Sequence, residues 1–208
     1  MITVQADNIC KNYNRQNVLN NISLFASEKY SVAITGKNGS GKSTLIKILT
    51  RFVTPTSGRI FHYDNNFLIQ PEKLNNYFSI VAPYLMLYEE LTALEHLRFV
   101  KKLKNINNAP SEVELLKQFS LFESGNKKVG SFSSGMIQRL RYCIALISNP
   151  KILLLDEPTS NLDSEGEDLV YSLMKSAKKN NITLIFATNH KRDLKYADCL
   201  IDLDEGAK

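Results

Sequence analysis

Tryptophan is absent from the 208 residues, and cysteine occurs only three times. Cys10, Cys143 and Cys199 are odd in number, far apart and without a C-x-x-C pair. Neither a disulfide framework nor a cysteine-held zinc is expected, and the three read as reduced thiols of a cytosolic protein. Long apolar runs are missing too. Stretches such as Ile152 to Leu155 fall far short of the roughly 20 residues a membrane-spanning helix needs, so no span is expected. Met1 to Asp7 has neither a basic segment nor an apolar one, which argues against a secretory leader. Internal repeats and low-complexity linkers are likewise absent. The charge excess, 26 Lys plus Arg over 21 Asp plus Glu, is only +5; it suits an anionic ligand, an anionic membrane surface or mere solubility, and does not choose among them. What is present is a 43% apolar fraction. A chain of this length buries roughly 70% of the surface its unfolded form exposes, enough for one domain with or without a small subdomain.

Apolar and polar residues alternate at Ile2, Val4, Ala6 and again at Ile22, Leu24, Ala26, which predicts half-buried antiparallel strands. Tyr30 to Thr35 reads as a buried strand, a glycine-rich loop follows, and Lys42 to Phe52 has helical spacing with Leu45, Ile48, Leu49 and Phe52 on one side. Pro55 and Gly58 stop that helix, and Arg59 to Tyr63 reads as a return strand. Residues 84 to 136 then read as a helical insertion, with helices over Thr92 to Lys104 and from Ser111, where Ser111 and Glu114 have capping-box spacing. A helical face through Ile137, Leu140, Ile144 and Ile147 leads to an apolar strand at Lys151 to Leu155. Ser164 and Glu167 suggest a cap for the next helix, before a last strand at Ile182 to Ala187. Strands alternating with helices predict an α/β fold with a largely parallel sheet.

Gly36-Lys37-Asn38-Gly39-Ser40-Gly41-Lys42-Ser43-Thr44 fits the G-x-x-x-x-G-K-S pattern of a phosphate-binding loop, between a strand and a helix as that motif requires. Glycines let backbone N–H groups wrap a phosphate chain, the helix start adds partial positive charge, Lys42 reaches the β- and γ-phosphates, and Ser43 offers an oxygen to magnesium. The strand ending in Asp156-Glu157 supplies a second half. A carboxylate at the end of a buried strand places Asp156 near the metal, and Glu157 can take a proton from attacking water. A nucleotide with Mg2+ is the expected ligand.

Taken together, the motifs resemble the nucleotide-binding domain of an ATP-binding-cassette (ABC) transporter, from about residue 2 to 203. Phe132-Ser133-Ser134-Gly135-Met136, followed by Gln138-Arg139, resembles the family's Leu-Ser-Gly-Gly-Gln signature. Asp156 to Asp163 resembles the Walker B strand running into the D-loop, with Asp163 the D-loop acid. His190 sits where the family has its switch histidine, and Tyr13 where it stacks an aromatic ring on adenine. The resemblance implies one ABC ATPase domain over residues 1–208: a P-loop core with an N-terminal antiparallel β-subdomain (about 1–83 and 137–208) and a helical subdomain (about 84–136). It implies Glu157, His190 and Lys42 as catalytic residues and a homodimer or heterodimer. In that dimer Ser133, Ser134, Gly135 and Met136 serve the opposite subunit's ATP. It further implies a cytoplasmic subunit held at the inner face of the membrane by a separate permease.

Three departures stand out. Pro83 takes the place of the family's metal-contacting Gln, Ser134 replaces the signature's first Gly, and Met136 replaces its Gln. Glu90 to Phe99 resembles small exporter ATPases, including the heme exporter subunit of cytochrome c maturation. The alternative is a soluble cassette ATPase acting on nucleic acid or ribosomes. It fits less well, because those proteins carry paired cassettes or a coiled-coil or zinc insertion, so no nucleic acid partner is expected. A small-metabolite kinase leaves the signature, the D-loop and His190 unexplained.

Overall fold

A computed structural model describes residues 1–14, 16–106 and 109–204. The long alternating segments at the start form β1 (Ile2–Tyr13) and β2 (Gln16–Ser27). With β4 (Ser57–Asp64) and the short β5 (Phe67–Leu68) they make an antiparallel sheet of order β2-β1-β4-β5. The second sheet is wholly parallel. It contains β3 (Val32–Thr35), β6 (Phe78–Val81), β7 (Ile152–Asp156), β8 (Thr183–Ala187) and β9 (Cys199–Asp202), in the order β6-β7-β8-β3-β9. Every residue of β7 and β8 is buried, as central strands covered on both faces must be.

Five helices join these strands: α1 (Lys42–Leu49), α2 (Ala93–Leu103), α3 (Glu112–Gln118), α4 (Ser134–Ile147) and α5 (Ser164–Ala177). The two-residue period of the strands divides the core into two. Leu153, Leu155, Leu184 and Phe186 face one way and pack with Leu97, Leu116, Tyr142 and Met174 of α2 to α5. Ile152, Leu154, Ile185 and Ala187 face the other way and pack with Leu45, Ile48 and Leu49 of α1 and with Val4 and Leu24 of the antiparallel sheet. Each such aliphatic side chain contributes about 1.5–3 kcal/mol on burial. The two packed layers hold the ends of β3, β7 and β8 in fixed register.

Several element ends differ from the sequence expectation. Helix α1 stops at Leu49, because the Thr50 hydroxyl turns back to the Ile46 and Lys47 carbonyls and Arg51 adopts a left-handed φ of 61°. Phe52 leaves the helical face and meets the edge of the Phe78 ring at 5.8 Å. Helix α4 begins at Ser134, ahead of the apolar face that starts at Ile137, so Gly135 lies in its first turn. Helix α5 is capped by Asp163, which accepts from the Gly166 N–H at 3.0 Å, one residue before the expected Ser164. A charged carboxylate is a stronger acceptor for helix N–H groups than a serine hydroxyl. The reciprocal capping box sits on α2, between Thr92 and Glu95; Ser111 makes one half of the arrangement on α3. The edge strands β6 and β9, four residues each, were not anticipated.

His62 of β4 fastens the sheet to α1. Its Nε2–H donates to the Leu49 carbonyl at 2.9 Å, while its Nδ1 is buried without a partner. Burial lowers its pKa from 6.5 to about 4, the Arg51 charge adding to this and the Leu49 bond opposing it. Between those values the unfolded chain takes up a proton that the folded chain refuses. Stability is therefore full above pH 6.5 and is lost as the pH falls towards 4, by about 3 kcal/mol in all. Denaturant unfolding from pH 7.5 to 4.5 should show this slope, and His62→Gln should flatten it.

Candidate functional site

The carboxyl ends of β3, β7 and β8 lie side by side, since β3 pairs with β8 and β8 with β7. Open parallel sheets bind ligands at that edge. From β3 the chain enters the loop Gly36 to Gly41, whose glycines at 36, 39 and 41 have φ of 139°, 85° and 101°. A Cβ on Gly41 would lie 2.8 Å from the Leu19 side chain and 2.9 Å from the Val18 carbonyl, so the loop is pressed against β2 where only glycine fits. Helix α1 follows with no acidic residue in its first turn and no side-chain cap, which leaves N–H groups facing the loop. Lys42 is buried. Its Nζ donates to the Gly36 carbonyl (2.7 Å), the Lys37 carbonyl (3.1 Å) and Asn189 Oδ1 (3.0 Å). Ser40 Oγ is buried without a partner.

Asp156 ends β7 at 1% exposure, and neither carboxylate oxygen has a hydrogen-bond partner. Burial raises its pKa, against the pull of the nearby Ser43 hydroxyl, short of a hydrogen bond, and of the Lys42 and Lys47 charges. A buried carboxylate left unpartnered beside Ser43 is the donor set a magnesium ion completes, so the residues fit that ion. No group of three or more His, Cys, Asp or Glu gathers among the described residues, so further ligands would come from phosphate oxygens and water. Glu157 follows with a left-handed φ of 50°, and its N–H donates to the Ala187 carbonyl at 2.8 Å. Half-buried, its carboxyl is raised by burial, with Asp156 adding to this and Asn189, Lys42 and His190 opposing it.

Beyond β8 the segment 188 to 193 closes the site. The Thr188 N–H donates to the Ile34 carbonyl (3.0 Å), and its hydroxyl donates to the wholly buried Asp193, which also accepts from Tyr171 (3.0 Å). The His190 N–H donates to the Thr188 hydroxyl at 2.9 Å, leaving the ring exposed at the edge. Gly36, Lys37, Asn189 and His190 share a cleft of about 370 Å³. Asn189 escaped the sequence reading. Its one signal was a polar side chain between Thr188 and His190 at the end of an apolar strand.

The remaining sequence candidates lie elsewhere. Ser133 caps α4 by accepting from the Met136 N–H at 3.2 Å, and Ser134 is exposed on the first turn. Ser133, Gly135, Met136 and Asp163 line a separate cleft of about 510 Å³ that shares no lining residue with the phosphate-loop cleft. Arg139 Nη2 donates to Asp163 at 2.6 Å and its Nη1 lies 3.6 Å from Glu165, which ties α4 to α5. Tyr13, at the end of β1, is 44% exposed with Lys11 Nζ 4.8 Å from its ring centroid. The carbonyls on either side of Tyr84, those of Pro83 and Leu85, accept from Arg141 of α4 at 2.9 and 3.1 Å. The Tyr84 ring packs under Lys47 Nζ at 4.1 Å.

Comparison with known proteins agrees with this geometry. The family described as ABC transporter matches residues 19–160. The chain is 34% identical over 191 residues to the uncharacterized ABC transporter ATP-binding protein YxlF of Bacillus subtilis, covering 90% of this chain and 62% of that protein, less than two thirds of its length. It is 31% identical over 207 residues to the lantibiotic transport ATP-binding protein SrtF of Streptococcus pyogenes, covering 99% and 88%. A solved dimeric ATP-binding cassette in a post-hydrolysis state, bound to ADP and Pi, superposes with a TM-score of 0.83 at 28% identity, covering 96% and 93%.

Proposed function

The chain belongs to the ABC transporter family of ATP-binding proteins, and from that premise we propose that it hydrolyses ATP to drive a separate membrane permease. The observation that carries the reading is the buried, unpartnered Asp156 beside the phosphate loop. An orphaned carboxylate of this kind costs several kcal/mol unless a cation is drawn to it.

In this reading residues 36 to 44 cradle the phosphates, Tyr13 stacks on adenine, and Lys42 balances the β- and γ-phosphate charge. Ser43 and Asp156 would hold a magnesium ion, which would supply positive charge against the phosphate oxygens. Glu157 accepts a proton as water oxygen bonds to the γ-phosphorus. The bond from that phosphorus to the bridging oxygen breaks, and ADP leaves with its electron pair. His190 contacts the γ-phosphate. Two copies, or this chain and a similar one, close head to tail so that Ser133 to Met136 and Asp163 of each meet the other's nucleotide.

No helix among the described residues is long and apolar enough to cross a membrane, and in this reading the permease provides the transport path. A cleft of about 750 Å³ lined by Phe52, Phe78, Leu85, Val100 and Leu103 suits a short permease helix. Export is favoured by the resemblance of Glu90 to Phe99 to small exporter ATPases. The test is purification of tagged Glu157→Gln protein from detergent-solubilised membranes. A multi-span membrane protein should accompany it, Leu103→Glu added in the cleft should release that protein, and Leu103→Glu alone in the otherwise unchanged chain should leave ATP hydrolysis intact. Hydrolysis stimulated by nucleic acid, with no membrane protein bound, would sink the transport reading.

A further inference from the structure

We propose that Asn189 is a positioning residue that holds the Glu157 carboxylate against the phosphate loop; this rests on the ATPase reading above. Its carboxamide meets three groups at once. Nδ2 donates to Glu157 Oε1 at 3.1 Å and to Asn38 Oδ1 at 2.7 Å, and Oδ1 accepts from Lys42 Nζ at 3.0 Å. The orientation of the amide follows from chemistry, because an ammonium can only donate and an ionised carboxylate can only accept. Three of its four hydrogen-bonding positions are therefore directed at β3's loop, at α1 and at the end of β7.

Few side chains can do this. Serine and threonine offer one hydroxyl and cannot span three partners, aspartate has no donor for Glu157, and alanine has neither group. The backbone beneath Asn189 is fixed, since Thr188 is tied to the Ile34 carbonyl and to Asp193. Apart from Asn189, whose backbone N–H also draws on it, the Glu157 carboxylate has no hydrogen-bond partner among the described residues: it is half-buried, its backbone is in the left-handed region, and Asp156 repels it. Asn189 supplies the restraint, and through Lys42 and Asn38 it refers the carboxylate to the loop that holds the phosphates.

Asn189 is exposed, so its variants should fold. Asn189→Ala should lower kcat about 10- to 100-fold, as a misplaced reacting group does, and leave the ATP dissociation constant within about threefold. Asn189→Asp, which sets a carboxylate against Glu157, should lose at least as much. In single-turnover assays followed over hours, adding Asn189→Ala to Glu157→Gln should cost nothing further, because a residue that acts through Glu157 has no effect once that carboxylate is gone. Unchanged kcat, ATP affinity falling in step with kcat, or a full additional loss on the Glu157→Gln background would each overturn the proposal. A wild-type chain that releases no phosphate overturns the ATPase reading as well. An active wild type and inactive Glu157→Gln with unaffected Asn189→Ala overturn this inference alone.

Discussion

Glu157→Gln is expected to retain ATP as tightly as the wild type and to release phosphate on the order of 10²- to 10³-fold more slowly, the scale of losing a general base. The glutamine amide keeps the size of the glutamate and an oxygen that can still accept from Asn189 Nδ2, now 3.1 Å from Glu157 Oε1. What disappears is the basic site. Nothing in the phosphate loop changes: the glycines at 36, 39 and 41 keep their positive φ and Lys42 keeps its two carbonyl acceptors. Removing one negative charge also relieves the repulsion by Asp156 that raises the Glu157 pKa. Binding should therefore hold or tighten while turnover collapses. Recovery of intact radiolabelled ATP with the variant after desalting, against ADP with the wild type, reads both effects together.

The second large effect is expected on dilution. The phosphate-loop cleft and the cleft lined by Ser133, Gly135 and Met136 have no lining residue in common, and no hydrogen bond joins the two groups among the described residues. One chain thus presents two separate clefts, which the proposed dimer would bring together as the two halves of one site. The signature half ends in the head of a 14-residue helix whose first turn holds no acidic residue, and a helix start of this kind favours an anion. In the proposed head-to-tail dimer a second copy would supply that anion as its bound γ-phosphate. Turnover per chain should then follow the fraction of dimer, falling about tenfold for each tenfold dilution below the dimer's dissociation constant.

The parts of this account that were legible in the sequence are those whose chemistry is written in consecutive residues. Gly36 to Thr44 announces a phosphate loop because strand, glycines, lysine and helix follow one another directly. Asp156 does so because a run of four apolar residues has to be a buried strand with a defined end. Asn189 was hidden because its partners, Asn38 and Lys42 after β3 and Glu157 after β7, come from two distant segments brought beside β8 only by the crossed order β7-β8-β3. The cap of α5 was misplaced by one residue because Asp163 and Ser164 are both competent caps, and only the hydrogen bond to Gly166 chooses between them. Strands β6 and β9 are too short to carry a period, and they exist by pairing with β7 and β3 at the sheet edges. The clamp of Arg141 on the Pro83 and Leu85 carbonyls was equally out of reach, joining residues 56 and 58 positions apart.

The central claim is that ATP is hydrolysed in a site completed by a second chain, and phosphate release per chain from Mg-ATP, measured across protein concentration, tests it most directly. The account predicts release that rises steeply with concentration and then levels off as dimers saturate. A chain that binds ATP but releases no phosphate at any concentration, or that hydrolyses at a constant rate per chain while sedimenting as a monomer, would contradict it.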